Sequence, residues 1–464
     1  MNICKLTDSY KASHHKLWPP GTQTVYSYLE SRGGRWPETV FFGLQYILRE
    51  YLEDRVVDAV DVRIAEKLYR THFGTDLFNV DGWMHIVKDH SGMLPLSIKA
   101  VPEGTVVPNH NVLMTVENTC PQCFWLTNYV ESLLVQLWYP ITVATQSREI
   151  KKIIWRFLHE TGDPSLIDFK LHDFGFRGVS SVESAGIGAA AHLVNFKGTD
   201  TIRGVEMLSQ HYDEPCAGFS IPASEHSTIT SWGRENEVDA FRNMLEQYPT
   251  GLVACVSDSY DIFRACTDLW GSQLKDRVLE RDGCLVVRPD SGDPRATVLA
   301  VLGRLADAFG YEVNSKHYHV LNPKVRVIQG DGVNAESIYD ILSAMQGMGY
   351  SADNIAFGMG GALLQKLDRD TQKMAFKCSY VNGCYGHGFW ERDVYKEPIT
   401  DAGKNSKRGR LKLVRNLNGL VGSAYATVRQ EECPQQPNEL VEVFRDGRLL
   451  VKQTLADIRQ RAAL

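Results

Sequence analysis

The sequence predicts an α/β protein, an irregular β/α barrel with a flanking α+β domain built from both ends of the chain. Three observations predict this fold class. Short apolar, β-rich runs alternate with helical patterns through the middle of the chain, as in the βα units of a parallel sheet. A tight cluster of Asp, Arg, His, Ser and Gly follows most of these runs. The two ends of the chain lack the alternation, and 464 residues are enough for two domains.

The barrel prediction depends on six segments in which an apolar run ends in a polar or glycine-rich cluster. Barrel enzymes carry their catalytic residues at the carboxyl ends of the strands. The chain is therefore predicted to be an enzyme whose site is built from these clusters. The segments are residues 171–177, 219–226, 252–258, 285–292, 325–332 and 355–361.

Helical periodicity predicts two amphipathic helices between these segments. One apolar face follows residue 258, and a second follows residue 332, where Asn334 is the expected N-cap. The first face consists of Ile262, Ala265, Cys266, Leu269 and Trp270, and the second of Ile338, Ile341, Leu342 and Met345.

The catalytic barrel is predicted to comprise residues 141–380, and the flanking domain residues 1–140 together with 381–464. Helical and β-like patterns are mixed in the flanking domain, with no long linker or sequence repeat. Its predicted elements are helices near 42–51, 60–73 and 455–463 and β-like pieces at 96–102 and 112–116.

Composition excludes several classes of protein. Hydrophobic residues make up 43% of the chain and charged residues 23%, which is ordinary for a globular protein. A net charge of -6 argues against a nucleic-acid binder, which is usually basic. No apolar run is long enough to cross a membrane, and the N-terminus has no signal-peptide core. We therefore expect a cytoplasmic protein with neither nucleic-acid nor membrane partners.

The 10 cysteines are scattered, as expected for reduced thiols in the cytosol. Cys120 and Cys123 form the one C-x-x-C pair. A zinc site needs a second Cys pair or a His pair at matching spacing, and the sequence makes none evident. The pair is therefore interpreted as incidental thiols in a loop, and no metal is predicted to be ligated directly by the protein.

The strand-end clusters suit a phosphorylated sugar and a divalent metal. Glycines at 330, 332, 358, 360 and 361 can bring backbone N–H groups close to phosphate, although turns need glycine as well. Neither a P-loop nor a dinucleotide fingerprint is present. Carboxylates at strand ends hold Mg²⁺ or ribose hydroxyls, although any one of them can instead cap a helix. The carboxylates are Asp258, Asp290 and Asp331, and the cations suited to phosphate are Arg177, Arg288, Arg369 and Lys377.

Two further features each allow a structural and a functional interpretation. The basic run 401–410 is either a solvated loop or a flap over a phosphate-rich ligand. His226, within Ala-Ser-Glu-His-Ser-Thr, is either a satisfied histidine or a reactive one.

From its first residues almost to its end, the sequence resembles the nicotinamide phosphoribosyltransferase family, a type II phosphoribosyltransferase family. The resemblance is long and colinear, and it includes all the strand-end clusters. Other matching strings are Thr-Asp-Ser-Tyr-Lys at 7–11, Thr-Val-Phe-Phe-Gly-Leu-Gln-Tyr-Ile-Leu at 39–48, Ala-Val-Pro-Glu-Gly at 100–104, residues 138–148 and residues 194–201.

The resemblance implies transfer of a phosphoribosyl group from phosphoribosyl pyrophosphate to nicotinamide in NAD salvage. The products would be nicotinamide mononucleotide and pyrophosphate. It also implies Mg²⁺, ATP as a co-substrate that phosphorylates His226, and a homodimer with shared active sites. Asp258 and Asp290 would position His226. The sugar transfer itself would depend on positioning and charge stabilisation, without a covalent sugar–enzyme bond.

The resemblance also implies contacts to the nicotinamide ring. Phe174 and Tyr10 of the partner subunit would enclose it, which suits a flat ring that gains positive charge during the reaction. Asp200 would accept a hydrogen bond from the carboxamide. Arg288 and Ser220 would complete the base site.

The remaining implied contacts are to the sugar and its phosphates. Arg177 and Asp290 would lie near the ribose and nucleotide phosphate. The 5′-phosphate and sugar would meet Gly330, Asp331, Gly360 and Gly361. Pyrophosphate would meet Arg32 of the partner subunit, Arg369, Lys377, Lys404 and Lys407.

The sequence departs from the family pattern in three places. The segment between Glu30 and Glu38 is short, which affects how Arg32 is presented. Met359 replaces a common Ser and Ala362 a common Gly, both in the predicted phosphate turn.

Two alternative functions remain open. In a nicotinate phosphoribosyltransferase, a carboxylate such as Asp200 about 4 Å from that of nicotinate would cost roughly 4 kcal/mol at an effective dielectric near 20. Asp200 therefore favours nicotinamide. A non-catalytic binding protein would be expected to have lost the Asp, Arg or His residues of the site, and these are present.

Overall fold

The structure is a computed structural model that describes residues 2–386, 388–416 and 424–464. The chain divides into two compact units. The sheet unit contains residues up to 145, 210–214 and 367–463, and the barrel unit contains residues 146–209 and 215–366 with 464. The predicted domain limits, 141–380 for the barrel and 1–140 with 381–464 for the flanking domain, stay a prediction. Residues 1, 387 and 417–423 of the predicted flanking domain lie outside the described residues.

The barrel unit is built on a curled sheet of parallel strands. The strands of this unit are β6 (Leu171–Asp173), β7 (Gly198–Thr199), β8 (Thr250–Val256), β9 (Asp282–Arg288), β10 (Tyr311–Val313), β11 (His319–Leu321), β12 (Val325–Gln329) and β13 (Ile355–Met359). The sheet has the order β7-β6-β13-β12-β9-β8, and β10-β11 form a separate two-stranded ribbon. The sheet strands carry near-continuous apolar runs, as expected for strands buried on both faces.

Helices follow these strands, as the alternation predicted. The helices are α6 (Trp138–Thr161), α7 (Val182–His192), α8 (Ile202–Tyr212), α9 (His226–Thr230), α10 (Glu237–Gln247), α11 (Ile262–Arg264), α12 (Lys275–Glu280), α13 (Pro294–Phe309), α14 (Ala335–Gly347) and α15 (Gly361–Leu364). Both α6 and α8 contain residues of the two units.

The segment 219–226, predicted to begin with a strand, closes the barrel without forming a regular strand. Phe219 bridges Gly198 of β7, and Ala223 bridges Ala254 of β8. The prediction of a regular strand here was wrong, because Pro222 has no N–H to donate to a ladder. The two bridges join the edge strands of the sheet, so the irregular barrel predicted from the sequence is confirmed.

Both predicted amphipathic helices are present. Asn334 caps α14 by accepting a hydrogen bond from the Ser337 N–H, and the four apolar residues of that face are buried. The face predicted after residue 258 is also buried, but most of it lies in a π-helix, Ala265–Gln273. The wider turn accompanies the burial of Trp270, which stacks on Phe241 with ring centroids 4.4 Å apart.

The sheet unit contains an antiparallel sheet with strands from both ends of the chain. The strands of the unit are β1 (Thr22–Ser31), β2 (Glu38–Val40), β3 (Leu96–Ala100), β4 (Val106–Pro108), β5 (Val112–Asn118), β14 (Met374–Tyr385), β15 (Gly388–Asp393), β16 (Leu411–Arg415), β17 (Tyr425–Arg429), β18 (Val441–Arg445) and β19 (Arg448–Leu449). The sheet has the order β15-β14-β1-β5-β3-β18-β19, and β2-β4 and β16-β17 form two ribbons. The predicted flanking α+β domain is thereby confirmed as part of the fold class.

The α-helices of the sheet unit are α1 (Leu44–Ile47), α2 (Ala59–Phe73), α3 (Val80–Asp89), α4 (Leu126–Tyr129), α5 (Glu131–Leu134) and α16 (Leu455–Ala462). Within the described residues, no helix is both long and apolar enough to cross a membrane. Across both units, the shorter helical turns are Ile3–Lys5, Ser9–Lys16, Leu48–Leu52, Pro121–Cys123, Val135–Leu137, Pro164–Phe169, Phe176–Gly178, Arg234–Asn236, Ala352–Asn354 and Ala402–Lys404.

A buried histidine makes the stability of the barrel unit depend on pH. His192 is fully buried, with Nδ1 2.9 Å from Ser147 Oγ and Nε2 3.2 Å from the Gly198 carbonyl oxygen. Burial, with a smaller contribution from the charge of His172, lowers its pKa to about 3. The unfolded chain gains a proton near pH 6.5 that the folded chain does not, so stability falls as pH drops from about 6.5 towards 3.

We predict that replacing His192 by Gln removes this pH dependence. The wild-type advantage in free energy of unfolding over His192→Gln should shrink by about 2 kcal/mol between about pH 7.5 and about pH 5. Urea unfolding at both pH values measures it. The exposed His317→Asn serves as the control and should keep the wild-type slope. An unchanged difference for His192→Gln would contradict the prediction.

Candidate active site

Twelve of the predicted site residues lie in the barrel unit. Each is at or just beyond the carboxyl end of a strand, or in the closing segment 219–226. Parallel strands end on one side of a sheet, so these side chains gather at one end of the barrel. They are Phe174, Arg177, Asp200, Ser220, His226, Asp258, Arg288, Asp290, Gly330, Asp331, Gly360 and Gly361.

A hydrogen-bonded chain centred on Asp258 holds His226. The imidazole Nε2 lies 2.9 Å from Asp258 Oδ1, and Asp258 is 3% exposed while His226 is 47% exposed. Asp258 Oδ2 accepts from the Asp290 N–H at 3.0 Å and from Ser291 Oγ at 2.5 Å. Asp258 therefore orients His226 directly, while Asp290 contributes to this arrangement through its backbone N–H.

The carboxylate of Asp290 is paired with Arg288. One guanidinium nitrogen of Arg288 lies 2.7 Å from Asp290 Oδ2, and both side chains are largely buried. The Arg288 guanidinium carbon also lies 5.5 Å from the centroid of the Phe174 ring. A Cβ at Gly330 would come within 2.7 Å of Asp290 Oδ1, so this glycine leaves room for the pair.

Phe174 follows β6 and packs partly into the interior of the barrel. It contacts a buried apolar cluster formed by Ala254, Val286 and Ile328. Its backbone N–H donates to the Met359 carbonyl oxygen at 3.0 Å. The ring is half-buried, so an aromatic surface is available at the carboxyl end of the barrel.

Asp200 and Phe174 share one neighbour, His172. His172 Nε2 is 2.9 Å from Asp200 Oδ1, and the His172 and Phe174 ring centroids are 5.2 Å apart. Ser220 Oγ also donates to Asp200 at 2.5 Å. Burial alone would raise the pKa of Asp200, but the hydrogen bonds from His172 and Ser220 and the charge of Arg288 hold it below its usual value. Asp200 is therefore a carboxylate acceptor at neutral pH.

Sequence reasoning did not single out three residues that build this site. They are His172, which bonds Asp200, Ser291, which bonds Asp258, and Asp173. The Asp173 side chain is fully buried, which raises its pKa, and it accepts from the Gly175 N–H at 2.7 Å and Thr199 Oγ1 at 2.9 Å. All three lie inside the strand-end clusters, so their position in the pattern was the available signal.

The remaining predicted site residues of the barrel unit are two exposed charged side chains and two glycines. Arg177 lies exposed in the turn after β6, and Asp331 lies exposed after β12. A Cβ at Gly361 would meet nothing within 4 Å, and one at Gly360 would meet only the Phe174 carbonyl oxygen at 3.6 Å. Gly360 and Gly361 therefore leave open space at the start of α15, where backbone N–H groups can approach a phosphate.

The other six predicted site residues lie in the sheet unit, and five of them are cations. Arg32 pairs with Glu30 at 2.8 Å, and Lys407 binds the second oxygen of the same carboxylate. Burial lowers the pKa of Lys377, and the charges of Arg32 and Arg369, among others, lower it further.

These cations have spare capacity for an anion. The buried Nη2 of Arg32 has no hydrogen-bond partner in the described structure. Arg369 is 58% exposed beside Asp370, and Lys404 is 66% exposed beside Asp401. A buried guanidinium nitrogen without a partner calls for a ligand, and a polyanion is the group that this set suits.

Tyr10, the sixth residue, is presented to solvent. Its ring is 56% exposed within the turn Ser9–Lys16. The His14 ring packs edge-on against it with centroids 4.9 Å apart. The large exposed ring is available to another molecule.

The contact between Gly358 and Phe174 yields a stability prediction. A Cβ at Gly358 would overlap the Phe174 ring. We expect Gly358→Ala to lower the free energy of unfolding by about 1–3 kcal/mol, as overpacking does. Urea denaturation measures it, with Gly361→Ala as the unhindered control.

A double-mutant cycle isolates the contact. In a Phe174→Ala background the ring is gone, so Gly358→Ala should lose most of its effect. Equal effects of Gly358→Ala in both backgrounds would show that the ring is not the obstacle.

Comparisons with known proteins place the chain in a family. Residues 169–447 match the nicotinate phosphoribosyltransferase (NAPRTase) family, and residues 2–98 match the nicotinamide phosphoribosyltransferase N-terminal domain. The chain is 52% identical to a nicotinamide phosphoribosyltransferase of Xanthomonas campestris pv. campestris, covering 99% of this chain and 98% of the relative. It is 32% identical to one of Acinetobacter baylyi, covering 100% and 97%.

A solved structure agrees on the fold. The nicotinate-nucleotide pyrophosphorylase from Pyrococcus furiosus superposes with a TM-score of 0.61 at 16% identity, covering 99% of this chain and 95% of that one. This similarity shows the fold alone, whereas the sequence identity to the relatives over their full length shows the family. The chain belongs to the nicotinamide phosphoribosyltransferase family, and it is a phosphoribosyltransferase enzyme.

Proposed function

We propose that this enzyme makes nicotinamide mononucleotide and pyrophosphate from nicotinamide and phosphoribosyl pyrophosphate, in NAD salvage. The observation that carries the proposal is the base site formed by the half-buried Phe174 ring, the Arg288 guanidinium and the Asp200 carboxylate. A flat ring bearing a carboxamide matches these groups. The activity named for the relatives supports the same substrate.

The base would stack on Phe174 with its carboxamide directed at Asp200. As the glycosidic bond forms, the pyridine nitrogen becomes positively charged, and an aromatic face stabilises that charge. Asp200 would accept from the carboxamide N–H, a charge-assisted hydrogen bond. Its existing hydrogen bonds from His172 and Ser220 would hold it in place for that contact.

The sugar and phosphates would occupy the strand-end loops. Backbone N–H groups at Gly360 and Gly361 would meet the 5′-phosphate, with Arg177 nearby, and Asp331 would meet the ribose. The pyrophosphate would meet the cation group, which is Arg32 of the partner subunit together with Arg369, Lys377, Lys404 and Lys407. The sugar would react through an oxocarbenium-like state stabilised by positioning and charge, without a covalent sugar–enzyme bond.

Mg²⁺ is proposed to enter with phosphoribosyl pyrophosphate, held mainly by its pyrophosphate oxygens. The donor set fits this arrangement. Asp258, Asp290 and Asp200 already accept hydrogen bonds from His226, Arg288 and His172, and direct ligation would break these pairs. The ion would shield the charge of the leaving pyrophosphate.

ATP would drive the synthesis by phosphorylating His226. With its Nε2–H donated to Asp258, the imidazole keeps its lone pair on Nδ1. Nδ1 would attack the γ-phosphorus of ATP, the bond to the bridging oxygen would break, and ADP would leave. Asp258 would stabilise the positive ring, and water would later release phosphate. The half-exposed ring of His226 gives ATP access.

Changing Asp200 to Ser should shift substrate preference towards nicotinate. Since about half of the Asp200 side chain is exposed, solvent screens its charge, and we expect the nicotinate-to-nicotinamide ratio of kcat/KM to rise roughly ten- to a hundredfold. Mass analysis of products from each base, with phosphoribosyl pyrophosphate and Mg²⁺, measures the ratio.

The wild-type protein in the same assay tests the proposed function itself. It should yield nicotinamide mononucleotide with nicotinamide and little product with nicotinate. Nicotinic acid mononucleotide as the main product would assign the enzyme to the nicotinate reaction instead. A ratio that Asp200→Ser leaves unchanged would remove Asp200 from base selection.

Changing His226 to Asn should abolish stimulation by ATP while leaving basal synthesis measurable. The wild-type protein incubated with γ-labelled ATP should carry an acid-labile phosphate, and the variant should carry none. The exposed His317→Asn is the matched control and should keep both label and stimulation. Persistent ATP stimulation in His226→Asn would refute the coupling.

We further propose a homodimer in which Tyr10 of one subunit covers the base site of the other. Tyr10→Ala and Phe174→Ala proteins should each be impaired, and their mixture should regain activity after subunit exchange. Random pairing makes half of the dimers mixed, each with one intact site of two, so about a quarter of wild-type activity is expected. Activity in the mixture no higher than that of the separate variants would place both residues in one subunit's site.

A further inference from the structure

A cluster of His and Cys side chains that could hold a metal ion lies in the sheet unit, apart from the predicted active-site residues. It consists of His85, His90, Cys120 and Cys123. Each offers one ligand atom, and these four atoms lie within 4.8 Å of one another. Among the described residues this is the group of His, Cys, Asp and Glu side chains that is arranged to hold a metal ion.

The cluster joins the end of α3 to the turn that follows β5. His85 lies one turn before Asp89, the last residue of α3, and His90 is the C-cap of that helix. Cys120 caps the short turn Pro121–Cys123, and the Cys123 N–H donates to the Cys120 carbonyl oxygen at 2.9 Å. The sequence thus contains a C-x-x-C turn, with a proline after the first Cys, and two histidines spaced H-x₄-H, both typical of zinc sites.

Apolar packing brings the two segments together. Trp83 of α3 is fully buried and lies edge-on against Trp125, with ring centroids 5.1 Å apart. Tyr129 packs edge-on against both indoles. The ligand atoms therefore converge through the hydrophobic core of this unit, so the site is formed before any ion binds.

One ligand distance matches a tetrahedral zinc ion, and the four ligand atoms lie within 4.8 Å of one another, so shifts of about 1 Å would complete the tetrahedron. With Zn–N near 2.0–2.1 Å and Zn–S near 2.3 Å, ligand atoms of a tetrahedral site lie about 3.3–3.8 Å apart. His85 Nε2 lies 3.4 Å from Cys120 Sγ, within that range. The His85 and His90 rings are nearly perpendicular, at 83°, with centroids 5.2 Å apart.

A carboxylate next to the cluster fixes the orientation of one of its imidazole rings. Asp89 Oδ2 lies 2.6 Å from His85 Nδ1. A carboxylate on one imidazole nitrogen fixes the ring with its other nitrogen available as a ligand, as in carboxylate–histidine–zinc triads. The Nε2 atom that this pairing leaves available is the atom that faces Cys120.

We propose that His85, His90, Cys120 and Cys123 form a structural zinc site. Two thiolates and two neutral imidazoles balance the charge of Zn²⁺ and leave no open position for a substrate. Sulfur and imidazole ligands exclude Mg²⁺ and Ca²⁺, which prefer oxygen. The ion would fasten the end of α3 to the turn after β5.

This site replaces the interpretation of Cys120 and Cys123 as incidental thiols. The histidine pair was not evident as a partner of the cysteines in the sequence, because it precedes them and His85 is 35 residues away from Cys120. Only the packing of α3 shows that they belong together.

Metal content of the full-length protein tests the proposal. Protein purified from zinc-supplemented cells without chelator should hold about one zinc per chain by elemental analysis. The double variant Cys120→Ser/Cys123→Ser should hold less than about a tenth of that. The control Cys216→Ser/Cys384→Ser, in which both replaced cysteines are exposed and outside the cluster, should keep its zinc.

Cobalt identifies the ligands without relying on a stable double variant. Wild-type protein loaded with Co²⁺ should show thiolate-to-cobalt charge transfer in the near ultraviolet and strong tetrahedral bands in the visible. Cys120→His keeps four donors, so it should retain cobalt with the charge-transfer band reduced to about half.

Three results would overturn the proposal. One is wild-type protein that holds no zinc after equilibration with zinc buffer. Another is zinc that survives loss of both cysteines. The third is a Cys120–Cys123 disulfide in the freshly purified chain, seen as a loss of two hydrogens in the intact mass. A chelator-induced fall in Tm of the wild type but not of a folded Cys120→Ser/Cys123→Ser variant would support it further.

Discussion

The parallel pairing of the six barrel strands is the constraint on which the candidate active site depends. Neighbouring strands run in the same direction, so the carboxyl ends of all six strands lie on one side of the sheet. Residues far apart in sequence, such as Phe174, Asp200 and Asp258, reach the same end of the unit for this reason. The ladder also needs a closing segment, and 219–226 provides it while presenting Ser220 and His226 to the site.

Within that frame, each buried or half-buried carboxylate of the site has a specific partner. Asp258 holds His226, and Asp200 holds His172. Such pairs avoid the large free-energy penalty of an isolated charge away from water. They also orient the side chains before any substrate binds, which is how an enzyme lowers the barrier of a reaction that develops charge. The proposed chemistry therefore depends mainly on how these side chains are positioned. Gly330 leaves room for the Asp290 and Arg288 pair, and Gly358 leaves room for the Phe174 ring.

The sheet unit contributes chemistry of two kinds. Its cation group contains the buried Arg32 nitrogen, which has no hydrogen-bond partner among the described residues and suits a polyanion. Its Cys and His cluster suits a metal ion with a structural role and no catalytic one. The first is proposed to serve the reaction and the second the stability of the unit, and both consist of residues contributed by separate elements. Neither kind of site needs a continuous motif.

The sequence by itself determined the strand-end clusters, the barrel class and the faces of the main helices, because periodicity and short apolar runs are local properties of the chain. Asn334 as a cap and the apolar face of α14 were predicted in this way and confirmed. Only the tertiary structure decided which partner each charge takes, such as His172 for Asp200. It also decided that His85 meets Cys120. These contacts join residues across loops and layers, and their free energy comes from packing that no local pattern encodes.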